Sequence, residues 1–170
     1  MAAMNYISAE DQRILNQRYR TTAILVMAFG ISVMIYMLIA KFIPPRESPP
    51  GSETWAQPIY SGAIVLGLVV VALRRILMSG MFLKSAIQRS AAAVLKNLQA
   101  MTILCCALAE AAGIGGLVFY LLSGDYQYSW RLGVVSLFLI VYSFPRRGEW
   151  ERAVAESSKV RSDQAQAAQI

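Results

Sequence analysis

The sequence predicts an all-α integral membrane protein, with four transmembrane helices in an antiparallel bundle and both termini in the cytoplasm. Three observations predict it. The 170 residues are 56% hydrophobic and only 15% charged, which is too apolar for an ordinary soluble domain. The long apolar stretches are apolar on every face, the pattern of helices that meet lipid. Lysine and arginine are gathered on one side of those stretches, as the spans themselves make clear.

A helix needs roughly 20 apolar residues to cross the hydrocarbon core, at about 1.5 Å of rise each. Four segments meet this length. Residues 1–21 form a mostly polar N-terminal segment, too long and too polar for the start of a cleaved signal peptide, so the apolar stretch after it is expected to stay as an anchor. Within that segment Ser8 and Asp11 have the spacing of a capping box, which starts a helix with Ile14, Leu15 and Tyr19 on its apolar side. The first span covers 22–43 and stops at Pro44 and Pro45, because proline bars the residue before it from helical geometry. Residues 44–57 are an outer loop stiffened by Pro44, Pro45, Pro49 and Pro50. The second span, 58–77, carries Pro58 in its first turn, where a missing N–H does no harm.

Residues 78–97 form a basic connection in which Phe82, Leu83, Ile87, Val94 and Leu95 alternate with charge, as in an amphipathic element lying at headgroup depth, with a bend at Gly80. The third span, 98–123, closes on Gly124, a C-terminal cap. Residues 124–127 make an outer turn, and the fourth span, 128–145, ends at Pro145. The tail, 146–170, drifts into Ala, Gln and Ser, and its end is expected to be disordered.

Orientation follows from the cations, which resist translocation. Arg13, Arg18 and Arg20 precede the first span; Arg74, Arg75, Lys84, Arg89 and Lys96 lie in or beside the middle connection; Arg146, Arg147, Arg152, Lys159 and Arg161 follow the fourth span. These are thirteen of the sixteen basic residues. The remaining three are Lys41, Arg46 and Arg131. The thirteen mark the cytoplasmic side, and Arg74, Arg75, Lys84, Arg89, Lys96, Arg146 and Arg147 are expected at the lipid headgroups. Trp55, Tyr60, Tyr126, Tyr128 and Trp130 suit the opposite interface, where amphipathic rings settle. The net charge of +6 is therefore explained by topology, and no nucleic-acid motif accompanies it. The expected location is a bacterial inner (plasma) membrane.

The composition also limits the chemistry. Histidine is absent and the two cysteines, Cys105 and Cys106, are adjacent within an apolar run. The commonest acid–base group is missing, as are zinc-ligand spacings and a disulfide framework. No catalytic residue, metal site or cofactor is expected, and the chain does not read as an enzyme.

One of the ten acidic residues falls inside a span. Glu110 sits near the centre of the third, about 18 Å from each end at the helical rise. An ionised carboxylate there costs several kcal/mol, so Glu110 is expected to face other helices and to be mostly protonated. No lysine or arginine shares its depth. Ser32 in the first span and Ser136 in the fourth are candidate hydrogen-bond partners, and a partner on another subunit is equally open. Small residues surround it. Ala109 with Gly113 and Ala112 with Gly116 have the small-xxx-small spacing that lets helix backbones approach. A close-packed helix making one interhelical hydrogen bond fits this pattern, and so does a proton-carrying or ligand-binding role.

The run from Leu108 to Phe119, Leu-Ala-Glu-Ala-Ala-Gly-Ile-Gly-Gly-Leu-Val-Phe, resembles the glutamate-bearing helix of the proteolipid ring subunits of rotary ATPases, most closely the vacuolar type. The resemblance implies that Glu110 carries a proton and that Gly113 and Gly116 permit tight ring packing. The chain departs from that family in several ways: the second span has only Gly62 and Gly67, no hairpin repeat is visible, and the glutamate lies in the third span of four.

Two functions are expected from these features. The first is a small non-enzymatic membrane subunit or assembly factor, packing through its small-residue third span against other membrane proteins or copies of itself. The second is a proton- or ion-translocating subunit with Glu110 as carrier. The partners are lipid and membrane protein, with no nucleic acid.

Overall fold

In the computed structural model the described residues are 8–44, 54, 56–78 and 90–167. Among them the structure is all-helical, with no strand. The helices are α1 (Ala9–Phe42), α2 (Ala56–Met78), α3 (Ala91–Ser123), α4 (Tyr126–Tyr142) and α5 (Arg147–Ala167). Four apolar helical stretches are long enough to cross a membrane: Ala9–Phe42, Gln57–Ile76, Ala91–Ser123 and Tyr126–Val160, the last taking in α4 and part of α5.

The ends of these helices follow local chemistry. At the start of α1 the Ser8 hydroxyl oxygen accepts from the Asp11 N–H at 3.1 Å, and the Gln12 N–H closes on the Ser8 carbonyl. This satisfies donors that have no partner inside the helix. The helix then runs without a break into the first apolar span, and it stops at Phe42, just before Pro44. Ser90 starts α3 in the same manner, accepting from the Ala93 N–H at 3.1 Å. That helix begins seven residues before the predicted span at 98. It ends on Gly124, whose φ of 74° requires a residue without a Cβ, and whose N–H reaches the Tyr120 carbonyl at 2.8 Å. Asp125 caps α4, accepting from the Gln127 N–H at 2.9 Å.

The chain divides into two compact units. One comprises described residues within Met1–Ile24, Arg74–Ile103 and Pro145–Ile170. Its core is Leu15, Ala91, Val94, Leu95, Leu98, Trp150, Ala153 and Val154, with Ile14 and Tyr19 against it. The Trp150 indole is fully buried and meets the edge of Tyr19 at 5.9 Å between ring centroids. Tyr19 in turn donates to the Pro145 carbonyl, and Arg18 donates to Gln99 at 2.9 Å.

This unit takes in most of the tail. Residues 147–167 are helical, because Trp150, Ala153, Val154 and Ser157 recur at helical spacing and are all buried. A single stripe containing one large aromatic is enough to hold a helix that is otherwise polar. The expectation of disorder concerned the tail's end. Residues 168–170 lie outside the described residues.

The other unit comprises described residues within Leu25–Leu73 and Leu104–Phe144. Its core joins Val26, Val33 and Met37 of α1, Val70 of α2, Cys105, Cys106 and Ala109 of α3, and Leu139 and Ile140 of α4. Neither cysteine is in a disulfide and both are buried, as small packing residues would be. Large apolar side chains lie exposed around this unit, among them Ile31, Leu38, Leu68, Val118 and Phe138. Lipid is the solvent in which that surface is stable. Residues 45–53 and 55 of the predicted outer loop, Trp55 among them, lie outside the described residues, as do residues 79–89 of the predicted amphipathic connection, with its bend at Gly80.

Candidate functional site

The site is built on α3. Its small residues let three helices meet beside the carboxyl group. Ala109 and Ala112 are buried, as are Gly113 and Gly116. A Cβ on Gly113 would lie 3.2 Å from the Ser136 hydroxyl and 3.2 Å from a Val33 methyl, and one on Gly116 would lie 2.9 Å from the Leu132 Cβ and 3.4 Å from the Ser129 backbone. Thus α4 approaches α3 at backbone distance along this face, with α1 closing it from another direction. The two small-xxx-small pairs are consumed by packing within the chain itself. This redirects the expectation that they pack against another protein: their face is already filled.

Glu110 follows Ala109 around the helix and stands at the border of this packed face, half-buried. The Tyr36 hydroxyl of α1 donates to its Oε1 at 3.0 Å. This bond crosses between α1 and α3 within the same unit, and among the described residues it is the only hydrogen bond Glu110 makes. The Tyr36 phenol is itself half-buried, and Ser32, one turn earlier on α1, stands beside it. The three polar groups therefore form a short run, Ser32 to Tyr36 to Glu110, in an otherwise apolar stretch.

The two serines offered by the sequence have different positions. Ser136 is fully buried, and its hydroxyl donates to the Ala109 backbone carbonyl at 2.6 Å, fastening α4 to α3 one residue before Glu110. Ser32 adjoins Tyr36. Tyr36 itself was missed in the sequence. A tyrosine inside a span reads as ordinary apolar bulk unless its hydroxyl is given a destination, and that requires knowing which faces of α1 and α3 oppose one another. The usable signal was the rule that a buried phenol seeks a hydrogen-bond partner.

The headgroup cations also separate. Arg75, Lys96, Arg146 and Arg147 are exposed. Arg147 pairs with Glu151 at 2.8 Å along α5. Arg74 differs: its side chain is only 11% exposed and lies 3.9 Å from Glu149, so it serves the first unit's interior. Lys84 and Arg89 lie outside the described residues. No group of three or more potential metal ligands occurs among the described residues.

Chemically, the arrangement holds a carboxyl group in a fixed position within an apolar span and gives it one phenolic donor. Comparisons with protein-family models, curated proteins and solved structures find no match for this chain.

Proposed function

We propose that the chain is a small non-enzymatic subunit or assembly factor of a bacterial inner membrane, joining other membrane proteins or copies of itself through the open side of Glu110. Its four spans run antiparallel, and both termini lie in the cytoplasm, the side that holds thirteen of the sixteen basic residues. The observation that carries the reading is the half-buried state of Glu110 with a single donor among the described residues. A carboxyl group has capacity for more than one hydrogen bond, and a polar group left open to hydrocarbon costs several kcal/mol. A polar side chain from a neighbouring subunit relieves that cost. The small-residue face contributes indirectly, by fixing the helix that presents Glu110.

The test compares Glu110→Gln with Glu110→Leu after extraction from native membranes in mild detergent. Gln still accepts from Tyr36, so its assemblies are expected to persist. Leu removes every polar contact, and the co-purifying species is expected to fall at least tenfold, the effect of roughly 1.4 kcal/mol. Undiminished assembly in Glu110→Leu contradicts the proposal.

A second reading is proton or ion translocation, with Glu110 as carrier. The run of Ser32, Tyr36 and Glu110 favours it, because adjacent hydroxyl and carboxyl groups can pass a proton along. Glu110→Gln separates the readings: it preserves shape and hydrogen bonding but removes titration. Translocation requires proton flux to be lost in that variant with assembly intact, whereas a purely structural contact leaves flux and growth unchanged.

A further inference from the structure

Lys41, Arg46 and Arg131 are the three cations that the charge asymmetry leaves on the side away from the other thirteen. Two of them share one place. Lys41 at the end of α1 and Arg131 in the second turn of α4 line a single open cleft of about 540 Å³, together with Tyr126, Gln127 and Trp130.

The cleft is built by contacts within its own unit. The Tyr120 hydroxyl of α3 donates to the Ile43 carbonyl, which fixes the end of α1. The same Tyr120 ring meets Tyr126 edge-on, with centroids 6.3 Å apart, so α1 and the start of α4 are both referenced to one residue. Arg131 is steadied by donating to Gln127 Oε1 at 3.3 Å, one turn back. Asp125, the nearby acid among the described residues, is engaged as the α4 cap and does not line the cleft.

We infer that this cleft binds the phosphate of an anionic phospholipid headgroup. Two cations in one cleft supply charge for a phosphodiester. Trp130 is 51% exposed, and with Tyr126 it presents the aromatic surface that settles at headgroup depth. The choice of lipid over free phosphate comes from what continues along the same helices. Leu38 and Met34 lie one and two turns from Lys41, while Val134 and Phe138 lie one and two turns from Arg131, and all four are exposed. A charged head above two apolar stripes matches an amphiphile with acyl chains. The inference rests on the bilayer placement of the chain and is independent of Glu110 and of any protein partner.

The experiment is native mass spectrometry of the full chain released from mixed vesicles of phosphatidylglycerol and phosphatidylcholine, with and without millimolar inorganic phosphate. The wild type is expected to retain phosphatidylglycerol over phosphatidylcholine, with free phosphate having no effect. Lys41→Gln with Arg131→Gln should lose the preference, by about 5-fold for each charge removed. Lys41→Arg with Arg131→Lys, which preserves the charge, should keep it and controls for misfolding. Equal retention of the two lipids by the wild type overturns the inference, as does a preference unchanged in the neutral variant. Displacement of phosphatidylglycerol by inorganic phosphate overturns the lipid assignment in favour of a free anion.

Discussion

Tyr36 and Glu110 are 74 positions apart in the chain, yet their side chains meet at 3.0 Å, and the neighbours of Glu110 explain how. Removing a Cβ at Gly113 and Gly116 brings α3 against α1 and α4, which leaves Glu110 beside the α1 phenol. The adjacent glycines 115 and 116 separate packing from mere composition. A Cβ on Gly115 would meet nothing within 4 Å, whereas one on Gly116 would meet Leu132 at 2.9 Å. Alanine at 115 is therefore expected to be neutral or mildly stabilising, since alanine is the better helix former. Alanine at 116 is expected to destabilise by about 1 to 3 kcal/mol through overpacking. Reversible unfolding in mixed micelles measures both, and equal stability of the two variants would refute the packing role given to Gly116. Glu110 was legible in the sequence because a lone acid in an apolar span stands out from its surroundings. Its partner was not, since the pairing depends on the rotation of two helices about their axes, and no single-chain pattern records that.

At the level of elements, the spans were legible because apolar length is a one-dimensional property, and proline and glycine mark where it stops. Phe42 before Pro44, and Ser123 before Gly124, end their helices where those residues require. The extension of α1 back to Ala9 was legible in the Ser8–Asp11 cap. The α5 helix was not, because its apolar stripe is narrow and its average composition is polar. Its attachment depends on Trp150, which is fully buried among Leu15, Val94 and Leu95 of the same unit. Trp150→Ala is expected to cost about 3 to 5 kcal/mol and to release α5. Limited proteolysis of the variant in membranes should then cut within Arg147–Ala167 while wild type resists, and equal cleavage of the two would contradict the role given to Trp150.

For the whole molecule, the composition and the four apolar helices speak for a bilayer environment, and the charge asymmetry supplies the proposed direction of insertion. The small residues of α3, which in the sequence suggested a contact with another protein, are occupied inside the chain. What remains open to a neighbour is the half-buried carboxyl group at the border of that packing. The central claim is therefore that a second protein chain completes the surroundings of Glu110. The most direct measurement is the mass of the wild-type protein extracted from its own membranes in a native nanodisc. The account predicts a mass above one chain plus lipid, from a homo-oligomer or a distinct membrane subunit, while a lone 18.7 kDa chain with bound lipid alone would contradict it.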